Sequence, residues 1–227
     1  MKPSKLDEFP SVANVVMDTT YFGRGFGVMV FMDGLTGQTL YKQYVKVETN
    51  KSYYSGIEEI SQRGIRVQSI IFDGRKGLLQ LFSDMPCQMC QFHQIQIITR
   101  YLTRKPKLEA VRELRSLTLM LTKYDKQTFI AHFQLWKEKW TDFLSERTVS
   151  ATTGKSFYTH KRVRSAYFSL RRNLPYLFTF EDYKELGIPN TTNKLDGSFS
   201  NLKNKLRNHN GLSLERKKKF IDEFFKA

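Results

Sequence analysis

Three carboxylates stand far apart in this sequence, each where a fold could present it: Asp18 closing the run VVMD, Asp73 closing IIFDG, and Asp196 inside NTTNKLDGSFSNLK. Taken singly, each has an ordinary use. Asp18 can start a turn, Asp73 can cap the helix after it, and Asp196 stands three residues after Asn193, the capping-box position at a positive helix end. Together, two acids at the ends of adjacent strands and a third on a helix packed across the sheet match what two divalent ions need when a phosphate bridges them. A set of oxygen ligands suits Mg²⁺ or Mn²⁺ better than it suits softer metals. In such a pair one ion activates the attacking water or hydroxyl and the other stabilises the leaving oxygen, so no histidine base is required. Asp196, Ser200, Lys203 and Arg207 recur at spacings of four, three and four. That places a metal-binding acid and two phosphate-binding cations on one helix face, although a plain solvated face accounts for Lys203 and Arg207 equally well.

The acids meet only if the chain folds in a particular way. Residues 12–19 are apolar and β-branched and read as a buried strand, broken by TTYFGRG. GFGVMVFM is a second strand, DGLTG a turn, and QTLYKQYVKV a third strand, so a hairpin lies beside the first. A helix capped by Ser52 runs to Gln62, and residues 66–72 form a fourth strand ending at Asp73-Gly74. Strand, crossing helix and strand imply parallel pairing of the fourth strand with the first, which brings Asp18 and Asp73 together. A short helix over residues 76–83 leads into a fifth strand in PCQMCQF and then a helix over residues 93–103. The expected class is therefore α/β, with a mixed five-stranded sheet flanked by helices.

Beyond Pro106 the pattern turns helical. Leu114, Leu117 and Leu121, then Phe129, Phe133, Trp136, Trp140 and Leu144, keep helical spacing and predict two packed amphipathic helices whose aromatic stripe is core. Residues 148–155 read as a loop, residues 161–172 as a basic helix, and LPYLFTF as irregular or extended. Leu195, Phe199, Leu202 and Leu206 give the helix around Asp196 one apolar face, and a last helix spans residues 214–225.

Lys and Arg number 37 against 22 Asp and Glu, a formal charge of +15. Such a field attracts polyanions and strengthens nucleic-acid binding through counterion release. The cations crowd the last third of the chain, Arg171 and Arg172 among them; a solubilising surface is the plainer alternative. Two cysteines, Cys87 and Cys90, exclude a disulfide framework and fit a reducing compartment. No apolar stretch approaches the roughly 20 residues that cross a bilayer, and the opening MKPSKLDEFP lacks the apolar centre of a secretory signal, so a soluble intracellular protein without a membrane partner is expected.

The motifs VVMDTTYF, IIFDGRKGLL, CQMCQFHQIQIITRYL and IPNTTNKLDGSFSNLKNKLRNHNGLS, in that order, resemble the catalytic domain of Mutator-like transposases of bacterial insertion sequences. The resemblance spans about residues 12–224. It implies an RNase H-like fold with a first core part over residues 1–105, a mostly helical insertion over 106–189 before the last catalytic helix, and C-terminal core helices over 190–227. It also implies a DDE-type transposase: Asp18, Asp73 and Asp196 as the catalytic, metal-binding triad for two Mg²⁺ or Mn²⁺ ions, and hydrolysis of a phosphodiester followed by strand transfer. Element ends and target DNA would be the partners, held by a homo-oligomer in the bacterial cytoplasm at the nucleoid. Lys203, Arg207, Arg171 and Arg172 would contact DNA. Cys90 and His93 match the family's Cys-x2-His signature, read here as structural. Cys87 extends it to a zinc-like Cys-x2-Cys-x2-His pattern, but the other histidines are too scattered to supply a fourth ligand.

The sequence departs from the family in two ways. The third acid is usually glutamate in a pattern like LEG, whereas this chain has Asp196 in LDG, one methylene shorter. Family members also carry a DNA-binding region ahead of the core, while here the first strand begins about ten residues after Met1. Recognition of element ends is then expected to be missing, whether the chain is a truncated element, a separately encoded half or an excised domain. The alternative function is a catalytically inactive remnant that still binds nucleic acid.

Overall fold

The computed structural model describes residues 9–209 and 211–226. The polar opening through Glu8 and Asn210 of the last motif lie outside the described residues. Five strands, β1 (Val12–Phe22), β2 (Phe26–Asp33), β3 (Thr39–Val45), β4 (Arg66–Phe72) and β5 (Cys87–Met89), form one sheet in the order β3-β2-β1-β4-β5. β1 pairs antiparallel with β2 and parallel with β4, so the sheet is mixed. The crossover between β3 and β4 is α1 (Asn50–Gln62).

Alternation along the strands divides two cores. Val15 and Met17 of β1 face the side covered by α1, packing with Phe31, Ile70, Tyr53 and Ile60. Val16 faces the other side with Val28, Val30 and Ile71, beneath Leu195, Phe199 and Leu202 of α9 (Asn193–Arg207). Both sheet faces are thus covered, and all eight residues of β2 are buried, which is why that strand reads as an unbroken apolar run.

A third core belongs to the helices. After α2 (Leu78–Leu81) and β5 come α3 (Gln91–Leu102), α4 (Glu109–Leu119), α5 (Lys126–Lys139) and α6 (Thr141–Ser145). Phe129, Phe133 and Trp136 pack there against Ile98, Leu114 and Leu170, while Trp140 and Leu117 lie at its margin. The aromatic stripe is core, as its spacing predicts. Its polar atoms are satisfied: the Trp136 indole donates to Ala110 O at 3.0 Å and the Trp140 indole to Glu113 Oε2 at 2.7 Å.

Several expectations need correction. β1 does not stop at Thr19; antiparallel pairing with β2 carries it to Phe22, where a turn with Gly23 at φ 65° reverses the chain. Thr49, not Ser52, caps α1, accepting from Ser52 N at 3.1 Å. Residues 148–155 are not a plain loop, because β6 (Arg147–Val149) and β7 (Ser156–Tyr158) form a small hairpin. LPYLFTF is helical: it completes α7 (Lys161–Leu177), with Pro175 in its last turn, and opens α8 (Thr179–Asp182). The amide groups of buried Gln88 and Gln91 both donate to Leu177 O, at 3.0 and 2.9 Å, supplying the partners that a helix end lacks. Thr192 rather than Asn193 bounds α9, and the chain closes with α10 (Leu214–Phe224). Among the described residues, no helix is long and apolar enough to cross a membrane.

Candidate functional site

Asp18 lies two residues beyond Val16, the last residue of β1 paired with β4, and opposite Val30 of β2. It therefore sits inside a strand rather than at its end, at the point where the neighbour on the other side has departed. β4 departs because Asp73 follows it directly: Asp73 Oδ1 accepts from Arg75 N at 3.0 Å, and Gly74 at φ 88° turns the chain. A side chain at Gly74 would also press on Met89 Sδ, at 2.7 Å from the added carbon. Asp196 stands in the first turn of α9, brought to the same region because the apolar face of α9 packs on the sheet.

Thr192 connects this helix start to α3. It is fully buried, and its hydroxyl lies 2.8 Å from Asp196 Oδ2, 3.4 Å from His93 Nδ1 and 3.3 Å from Cys90 Sγ. A hydroxyl has one proton. Donating it to Asp196 leaves the oxygen to accept from a protonated His93, while Cys90 Sγ accepts from Thr192 N at 3.3 Å.

The electrostatics follow from this crowding. Burial is the main cause that pushes the Asp18 carboxyl up from 3.8 to about 7; the Thr19 N–H, donating at 2.7 Å, opposes it, and the charges of Asp73 and Asp196 raise it further. The hydrogen bond to Cys90 raises His93 to about 9 against its burial, helped by the charges of Cys90, Asp196 and Asp18. Burial alone would push the Cys90 thiol up, but its hydrogen bonds with His93 and Thr192 outweigh that and hold it below the usual thiol range.

The fold thus brings Asp18, Asp73, Asp196 and His93 into one electrostatic neighbourhood. Among the described residues, no three Asp, Glu, His or Cys side chains already converge as a ligand set for a metal ion. Each acid instead commits one oxygen to its own surroundings, Thr19 N, Arg75 N or the Thr192 hydroxyl, and has its second oxygen without a hydrogen bond among the described residues. In kind, three repelling carboxylates with such oxygens fit a hard divalent ion. Cys87 stands apart from Cys90 and His93: its thiol donates to Phe82 O at 3.3 Å, and burial pushes it up to about 11, as for an inert core thiol.

The proposed DNA contacts divide. Lys203 is half-buried and Arg207 exposed on α9, about 10 and 16 Å along the axis from Asp196 at 1.5 Å per residue. Arg171 and Arg172 are both exposed on α7, and only Arg172 lines a cavity of about 920 Å³ that begins at Gly74, beside Asp73. Arg75, Arg100 and Arg162 line the same cavity. Arg75 is already held, its guanidinium 3.2 Å from Glu48 and 2.9 Å from Asn50 Oδ1. Sequence reasoning missed this cavity and Thr192. The threonine had a visible signal, since it immediately precedes the acid-bearing helix; the cavity had none, since its cations come from separate segments. Compared with family models and with curated proteins, the chain matches none.

Proposed function

We propose that the chain is the catalytic domain of a DDE-type transposase with an RNase H-like core, cleaving DNA phosphodiesters and transferring the freed 3′-hydroxyl to target DNA. The observation that carries this reading is the gathering of Asp18, Asp73 and Asp196, from two strands and one helix, closely enough that both other acids raise Asp18. The sheet order and the packing of α9 across it support the same assignment.

Asp18, Asp73 and Asp196 would hold Mg²⁺ or Mn²⁺, which when bound supplies Lewis-acid activation of the attacking oxygen and neutralises developing charge. Asp18 must release its proton before it can serve. Thr192 orients Asp196 through its hydroxyl, and His93 places a positive charge behind the acids. Arg172, which lines the cavity beside Asp73, and Lys203 and Arg207 along α9 would receive backbone phosphates. The Mutator-like resemblance supplies element ends and target DNA as the partners, and a homo-oligomer on DNA as the working form.

Incubation of supercoiled DNA with Mg²⁺ or Mn²⁺ tests the reading. Asp18→Asn and Asp73→Asn are expected to abolish metal-dependent nicking while largely sparing DNA binding; unchanged nicking would refute the assignment. A second reading, an inactive remnant that binds nucleic acid, is favoured by the short Asp196 side chain being tied back to Thr192. Asp196→Glu decides: a silent wild type with strand transfer restored by Glu on pre-cut ends selects the remnant.

A further inference from the structure

The cavity beside Asp73 continues into a second one. The larger, about 920 Å³, and its neighbour, about 410 Å³, share Tyr101, Ser169 and Arg172, so a groove runs from Gly74 across α7 to the β6–β7 hairpin. Its composition is unusual for a plain solvated face. Tyr101, Phe168 and Tyr158 are 38%, 42% and 37% exposed. Cations line it together with these rings: Arg162 and Arg172 line the groove, and the Arg164 guanidinium lies 3.5 Å from the Tyr158 ring centroid and 5.3 Å from that of Phe168.

We propose that this groove binds an unpaired DNA strand and leads it away from the three acids. The proposal rests on the polynucleotide reading above and adds which form of the substrate leaves the site. Cations alone would serve duplex or single strand alike, through phosphates. Exposed rings and a ring-stacked guanidinium add a surface for base faces, and only unpaired bases present their faces. Arg162 and Arg164 already donate to Arg100 O and Leu144 O, but an apolar protein partner would cover the Arg100 and Arg172 guanidinium groups without offering them an acceptor.

Fluorescence anisotropy with the full chain, in chelator to remove divalent ions, tests this with a labelled oligonucleotide of roughly 12 nucleotides and its duplex. Tyr101→Ala and Phe168→Ala are each expected to weaken single-strand binding by roughly 5- to 150-fold, the loss typical of one stacked base, with duplex affinity changed by no more than about twofold. Phe168→Trp is expected to retain single-strand binding, which separates stacking from any fault in folding. Unchanged single-strand affinity in both alanine variants, or equal losses for strand and duplex, would overturn the proposal. The outcome is separable from cleavage. If Asp18→Asn nicks normally while the strand-over-duplex contrast holds, the catalytic reading fails and the groove stands. If nicking needs the acids and the contrast is absent, the groove fails alone.

Discussion

Replacing Asp18 with asparagine is expected to make the metal-free protein more stable at neutral and alkaline pH. The folded state holds the Asp18 carboxyl near 7, against an ordinary 3.8, chiefly through burial and then through the charges of Asp73 and Asp196. A group whose pKa is raised on folding contributes stability that is full below its unfolded value and is lost as pH rises through its folded value. For Asp18 that window runs from about 3.8 to about 7. At about 1.4 kcal/mol for each pH unit, the difference amounts to roughly 4 kcal/mol, and partial solvent access to the half-buried side chain trims it to roughly 2–4 kcal/mol. Asparagine keeps an oxygen to accept from Thr19 N and carries no charge, so it avoids the loss. Urea denaturation in chelator at pH 4, 6 and 8 reads the effect: the two proteins are expected to match near pH 4 and diverge by about 2–4 kcal/mol at pH 8 in favour of the variant. His93, raised to about 9 chiefly by its hydrogen bond to Cys90, loses its own contribution between about 6.5 and 9 in both proteins, so most of it cancels; only the minor part that the Asp18 charge supplies is absent from the variant. A variant less stable than wild type at pH 8, or a difference independent of pH, would refute the reasoning.

Other outcomes follow from the same geometry. Because Asp18 must be ionised to bind a cation, Mn²⁺ affinity should rise about tenfold per pH unit below about 7 and level off above it, measurable by calorimetry at pH 6, 7 and 8. Thr192→Val removes the hydroxyl that holds Asp196 and is expected to cost about 1–3 kcal/mol in urea denaturation, with Thr192→Ser close to wild type. Asn14→Ala is expected to cost about 2–4 kcal/mol by the same measurement. Asn14 is fully buried; it accepts from Ser69 Oγ at 2.6 Å and donates to Leu186 O at 2.8 Å, tying β1 and β4 to the turn before α9.

What the sequence disclosed, and what it hid, divides along physical lines. β4 was legible to the residue because its apolar run ends in Asp73-Gly74, a turn signal with no competing partner. The overrun of β1 was not, because residues 20–22 owe their extended form to pairing with β2 rather than to their own pattern. Two neighbouring hydroxyls compete to cap α1, and they bond each other at 2.7 Å, so composition alone does not rank Thr49 above Ser52. LPYLFTF read as irregular or extended, yet it is helical, and glutamines 86 and 89 residues earlier in the chain stabilise the helix end there. Of the site, Asp73 was legible as a strand-end residue and Asp196 as a helix-start residue, whereas Asp18, expected at a strand end, lies inside β1 because pairing with β2 carries that strand on. The link through Thr192 to His93 was not legible, since it depends on how α3 and α9 begin side by side. The groove lies furthest from sequence view, being assembled from the β4–α2 loop, α3, α7 and the β6–β7 hairpin.

The central claim is that Asp18, Asp73 and Asp196 act together on a divalent cation. Calorimetric titration of Mn²⁺ into the wild type and the three single asparagine variants at pH 8, with Asp142→Asn on α6 as a control, tests it most directly. The account predicts binding by the wild type and the control, and a loss of at least about tenfold in each triad variant. Binding that survives in all three, or is absent from the wild type, would contradict it.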